Sequence, residues 1–174
     1  MGVRTLCETL AYTGCRLSEA LALTAARVDL HDEVLIFESL KKRRRGIFRA
    51  VPVPPALLEI LDDVHGVTAS HGQQDRGVSS PLWDWSRTTA WRRVSEVMAA
   101  AEIDGIQACP KGLRHGFGVN AVTVKIPLNM TQRWLGHANL ATTAIYANAV
   151  GAEEKQLAAA MWETGRARAR ANTE

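Results

Sequence analysis

Apolar residues recur at helical spacing from the start of the chain. Val3, Leu6, Cys7, Leu10 and Ala11 share one stripe, which predicts an opening helix with Tyr12 also in the core. Gly14 ends it, and a short helix is predicted over 17–23. The period then changes. Val34-Leu35-Ile36-Phe37 is a compact apolar run with β-branched and aromatic residues, and Phe48-Arg49-Ala50-Val51 is a weaker one. Basic residues and Gly46 lie between them, so the pattern predicts a β-hairpin whose turn carries positive charge. Pro52, Pro54 and Pro55 close the second strand, and Pro55 suits the first turn of a helix over 56–64. Residues 65–81, with Gly66, Gly72, Gly77 and Pro81, read as a loop. Ser86 is placed to cap a further helix, whose apolar face takes in Trp91, Val94, Val97 and Met98.

The last third is helical throughout. Pro110 starts a helix reaching about residue 123, and Pro127 starts another that ends near Gly136, with Trp134 in the core. A short helix is expected over 140–148. A final one is expected over 152–163, with Leu157, Met161 and Ala158 on its apolar stripe. No internal repeat and no strong linker interrupt the pattern. It predicts one α+β domain, mainly helical with a small antiparallel sheet, over residues 1–165, and a basic, flexible tail over 166–174.

Composition narrows the class. The 174 residues are 47% hydrophobic and 22% charged, a globular balance that excludes wholesale disorder. No run approaches the roughly 18 apolar residues of a membrane span, and the first residues lack a signal-peptide core, so no membrane partner and no secretion are expected. Cys7, Cys15 and Cys109 are odd in number and lack paired metal-ligand spacing, which argues against a disulfide framework or a zinc module and fits a reducing cytoplasm. Glu8, Glu19 and Asp29 lack the pairing of a metal-dependent nuclease site, and Glu19 is expected to buttress Arg16 or its helix. Net charge is only +3, but Lys41, Lys42, Arg43, Arg44, Arg45 and Arg49 crowd into nine residues, and Arg166, Arg168 and Arg170 end the chain. Such local blocks point to a polyanion, most often nucleic acid.

Four further polar positions stand out. Arg16 lies in Thr13-Gly14-Cys15-Arg16-Leu17-Ser18-Glu19, between a turn glycine and a helix. Arg114 lies in Lys111-Gly112-Leu113-Arg114, one turn from Lys111. His137 follows Leu135-Gly136, and Tyr146 closes Thr142-Thr143-Ala144-Ile145-Tyr146. Each alone is ordinary; their order and spacing are not. Over residues 3–163 the chain resembles the catalytic domain of tyrosine recombinases, the phage integrase family. The family's Thr-Gly-x-Arg-x-x-Glu stretch is matched by Thr13, Gly14, Arg16 and Glu19, and its hairpin lysine by Lys41 or Lys42. Its His-x-x-Arg box is matched by Lys111 to Arg114, with lysine in place of histidine. Its Leu-Gly-His box is matched by Leu135 to His137, and its tyrosine box by Thr142, Thr143 and Tyr146.

The resemblance implies DNA cleavage and rejoining without metal or other cofactor, through a 3′-phosphotyrosyl bond to Tyr146. Arg16 and Arg114 would clamp the nonbridging oxygens, since guanidinium forks match phosphate geometry. His137 would accept the tyrosine proton and bind phosphate, and Lys111 would donate to phosphate as a point charge. Lys41, at the start of the turn, is preferred to Lys42 as general acid. Lys42, Arg43, Arg44 and Arg45 would grip the DNA backbone. Double-stranded DNA and further protomers, tetrameric on DNA, are the implied partners, with Leu157, Met161 and Trp162 as a possible anchor in trans. The implied setting is a bacterial, phage or plasmid protein of the cytoplasm, associated with the nucleoid. Arg16 lies too near the start for the separate DNA-binding domain that family members carry, so that domain is expected to be absent from this chain. Two alternatives stand beside this: a relative that binds DNA or a partner recombinase without catalysis, and a type IB topoisomerase.

Overall fold

The computed structural model describes residues 1–39, 46–71 and 80–147. The hairpin turn with Lys41, Lys42, Arg43, Arg44 and Arg45, the helix expected over 152–163 and the tail 166–174 lie outside the described residues. Within them the elements follow as α1 (Gly2–Thr13), α2 (Leu17–Leu21), β1 (Val28–Asp29), β2 (Val34–Glu38), β3 (Phe48–Pro52), α3 (Pro55–His65), α4 (Val67–His71), α5 (Arg87–Ala100), α6 (Pro110–Thr123), α7 (Leu128–Leu135) and α8 (Ala141–Ala147). No helix among these residues is long and apolar enough to cross a membrane.

α1 is the central helix, packed against α2, α3, α5 and α6. Its buried stripe is Thr5, Leu6, Thr9, Leu10 and Thr13, so three of its five residues are threonine. Two of these hydroxyls bond back into their own helix, Thr5 to the Gly2 carbonyl at 2.9 Å and Thr13 to that of Thr9 at 2.6 Å, which lets a polar side chain face a core. The expectation for Tyr12 is corrected: it is 49% exposed. His65 and Trp83 cover Thr5, and Tyr12 lies two turns further on, about 10 Å along the axis.

The sheet is antiparallel in the order β1-β2-β3. Leu35 pairs with Val51 and Phe37 with Arg49, and all four are buried. A two-residue β1, too short for any periodicity, was not predicted. Nor was α4 inside the expected loop; the Asp62 carboxylate starts it by accepting from the Thr68 amide at 2.7 Å and hydroxyl at 2.6 Å. Pro55 occupies the first turn of α3 as expected, and Ser86 caps α5, its hydroxyl accepting from the Thr89 amide. The buried face of α5 is Ala90, Val94 and Met98. Val94 and Met98 are as expected, whereas Trp91 and Val97 are corrected: they are 51% and 39% exposed, and Ala90 faces the core instead. The core gathers Leu6 and Leu10 with residues of the sheet, α2, α3 and α5, while Leu113 and Trp134 fasten the α6–α8 layer to its side.

Candidate active site

Two left-handed glycines shape the site. Gly14 (φ 59°) ends α1, and a Cβ there would lie 2.5 Å from the Phe117 ring. The chain then extends through Arg16 and enters α2, so the arginine stands at the helix N-terminus. Glu19, three residues on, accepts from the Arg16 amide at 2.9 Å and from its Nη1 at 2.7 Å. The second glycine, Gly136 (φ 65°), ends α7 and turns His137 back beneath it. His137 Nδ1 lies 3.0 Å from the hydroxyl of the fully buried Thr143. With Nδ1–H donating there, Nε2 keeps its lone pair for a proton.

Arg114 links these turns. Its Nη1 donates to the Gly14 carbonyl at 2.6 Å and its Nη2 to the Leu135 carbonyl at 2.8 Å. A guanidinium has five N–H groups, so donors remain for an anion. Arg49 makes a parallel tie. Its Nη2 meets Glu19 Oε2 at 2.6 Å, and its Nε donates to the Trp134 carbonyl at 2.7 Å. Arginines therefore engage two successive carbonyls at the C-terminal end of α7, where backbone oxygens lack helical partners and the helix dipole favours cations.

A cleft of about 640 Å³ brings Arg16, Lys111, Arg114 and His137 together, with Arg87, Trp91 and Thr142 on its rim. Tyr146 is not among its walls. It is 5% exposed, its ring packed on Gly118 of α6, where a Cβ would approach Cζ to 2.5 Å. It stacks on the His137 ring at 6.4 Å and 13° and lies 5.3 Å from that of His115. The tyrosine thus adjoins the cleft without opening into it.

The charges interact. Burial, then the positive charge of Arg16, lowers Arg114 to about 10, which leaves it protonated at neutral pH. Burial, then the charges of Arg114, Arg16 and Arg49, pushes His137 down to about 4, so its ring is neutral at pH 7. Burial alone would raise Glu19, but the hydrogen bond and charge of Arg49 and the Arg16 contacts outweigh it and hold the carboxyl below its ordinary value. A neutral imidazole, an exposed lysine and two guanidinium groups around one cleft can bind a phosphodiester and take up a proton beside it.

Of the residues singled out from the sequence, Arg16, Lys111, Arg114 and His137 meet in the cleft and Tyr146 lies against it. Glu19 buttresses Arg16 as expected. Lys41, Lys42, Arg43, Arg44 and Arg45 lie outside the described residues. Arg49, counted with the basic block that would hold DNA, is instead buried and paired with Glu19. Its signal was the alternation of β3: Arg49 and Val51 are two residues apart, so both point inward. Arg87 and Trp91 were also missed as cleft residues; they are four apart on α5, one turn of a common face.

Fold and cleft together define a mainly helical α+β domain with a cationic cleft. A profile of the phage integrase family matches residues 1–153, and the chain belongs to that family. It is 28% identical over 159 residues to tyrosine recombinase XerD of Vibrio cholerae, covering 88% of this chain and 51% of that protein. It is 31% identical over 152 residues to XerD of Mycobacterium tuberculosis, covering 82% and 46%. The chain thus spans about half the length of the curated relatives it matches. Among solved structures, XerH site-specific recombinase bound to palindromic difH substrate superposes with a TM-score of 0.69 at 22% identity, over 92% of this chain and 46% of that one. The catalytic domain of bacteriophage HP1 integrase gives 0.63 at 21%, over 89% and 79%. The fold is that of tyrosine recombinase catalytic domains.

Proposed function

We propose that this chain is the catalytic unit of a site-specific recombinase or integrase acting on double-stranded DNA. The observation that carries it is the meeting of Arg16, Lys111, Arg114 and His137 in one cleft, with Tyr146 stacked on His137. Tyr146 Oη attacks the scissile phosphorus, the Oη–P bond forms, and the bond from phosphorus to the 5′ oxygen breaks. The phenolic proton passes to His137 Nε2. The leaving oxygen takes a proton from Lys41, with Lys42 the alternative. Arg16 and Arg114 meet the charge on the nonbridging oxygens, and Lys111 adds a third cation. The phosphotyrosyl bond keeps the energy of the phosphodiester, so the reverse attack rejoins a strand without ATP. Lys42, Arg43, Arg44 and Arg45 hold the DNA backbone, and further protomers complete a tetramer on DNA in the cytoplasm.

For attack, Tyr146 must leave Gly118 and turn into the cleft. The test is a nicked suicide substrate. A covalent protein–DNA adduct should accumulate with the wild-type chain and vanish in Tyr146→Phe; an adduct that persists in the variant would exclude Tyr146 as nucleophile. Burial of Tyr146 is the observation that favours a second reading, DNA binding without cleavage. A tight gel shift with no adduct on any substrate identifies it.

A further inference from the structure

We propose that Arg49 is a positioning residue for strand cleavage, setting both walls of the phosphate cleft from one buried guanidinium. The inference rests on the cleavage reading above. Arg49 is 9% exposed, and it faces two elements at once. On one side it holds Glu19, the carboxylate that fixes the Arg16 amide and guanidinium. On the other it holds the Trp134 carbonyl, three residues before His137. Its plane lies close on Gly136: a Cβ there would stand 3.0 Å from both Cζ and Nη1. The glycine between Leu135 and His137 is thus favoured by this contact as well as by its positive φ. Phe37 covers the guanidinium with its ring centroid 5.3 Å from Cζ, and Nη1 is buried with no hydrogen-bond partner among the described residues.

A side chain meant only to fill the sheet's inner face would be apolar, because a buried cation with an unpaired donor is costly. What this cation achieves is a rigid fork spanning two acceptors on different elements. Lysine cannot replace it. An ammonium keeps the charge, but its donors radiate from one atom and do not match two separated acceptors in a plane. Loss of the fork lets Arg16 and His137 move independently, and displacements of about 1 Å at such groups cost about 100-fold in rate.

Arg49→Lys and Arg49→Met test this on the nicked substrate, each assayed below its own melting temperature and at saturating DNA. Arg49→Lys should form the Tyr146 adduct about 100-fold more slowly while binding DNA within about 3-fold of wild type. Arg49→Met should in addition move the acid limb of the pH–rate profile upward, since one of the charges facing His137 is gone. Among the described residues, the other charged groups acting on that ring are Arg114, Arg16 and Glu19, with Lys111 lining the same cleft and Tyr146 stacked on the ring. A wild-type rate in Arg49→Lys at saturating DNA, however far its melting temperature has fallen, would overturn the inference. A readout independent of cleavage separates its failure from that of the proposed function. By NMR titration, the His137 midpoint should rise in Arg49→Met, and the His137 imidazole resonances should shift in Arg49→Lys. Unchanged His137 signals in both variants overturn the inference whether or not an adduct forms.

Discussion

His137 sits among three guanidinium groups, and its protonation is where the site's electrostatics can be measured. Its folded value of about 4 is below the ordinary 6.5. Between those values the unfolded chain binds a proton that the folded chain does not, so stability falls as pH drops through this window. His65, also held down by burial, adds the same sign. Melting temperature should therefore decline from pH 6.5 towards 4, and His137→Gln should remove part of the decline. An anion in the cleft offsets the neighbouring charges, so the His137 midpoint, followed by NMR, should rise when sulfate is added; a fixed midpoint would place the anion elsewhere. At this scale much was legible. Arg16, Arg114 and His137 each sit in a short box whose glycine or spacing declares a turn. Arg49 was not read, because a charged residue inside a basic run looks solvated until strand alternation is applied to it.

Helix ends do most of the positioning at the next scale. Gly14 and Gly136 end α1 and α7, Pro110 begins α6, and each of these boundaries was readable from residue type alone. The faces were harder. On α5 the large Trp91 suggested the core, yet the small Ala90 faces it, because the helix packs closely. On α1, threonines stand in the stripe beside Leu6 and Leu10; Thr5 and Thr13 are accommodated by bonding back into their own helix, whereas the buried Thr9 hydroxyl has no hydrogen-bond partner among the described residues. α4 and β1 are short and depend on tertiary contacts with Asp62 and β2, so no periodicity announces them. The crossing of α6 and α8 yields a direct test. Gly118→Ala favours the helix by up to about 1 kcal/mol through propensity, but its Cβ would collide with the Tyr146 ring. The variant should stay folded and expel the ring. Nitration of Tyr146, followed by peptide mass spectrometry with Tyr12 as the exposed control, should rise severalfold. If Tyr146 stays as protected as in wild type, the ring does not depend on Gly118.

Across the whole molecule the balance of charge is uneven. Net charge is slight, yet Arg16, Arg49 and Arg114 converge on the single carboxylate of Glu19. The cleft therefore carries an excess of positive charge, and an anion bound there should stabilise the fold. Sulfate at ten times its dissociation constant would add about 1.4 kcal/mol, a rise of about 3–6 °C in melting temperature for a domain of this size. Chloride at matched ionic strength is the control; equal shifts in the two salts would mean general screening instead of a site. Total charge and length gave no hint of this, since convergence is a property of the fold.

Arg114 serves two masters, and this bears on how sequences of this kind are judged. Two of its donors join α1 to α7 through the Gly14 and Leu135 carbonyls. A descendant that had abandoned DNA cleavage would still need that arginine to keep its shape. Finding it in a chain is therefore weak testimony for a living enzyme. The exposed Lys111, and the His137 nitrogen turned away from Thr143, are tied less to shape and carry more diagnostic weight.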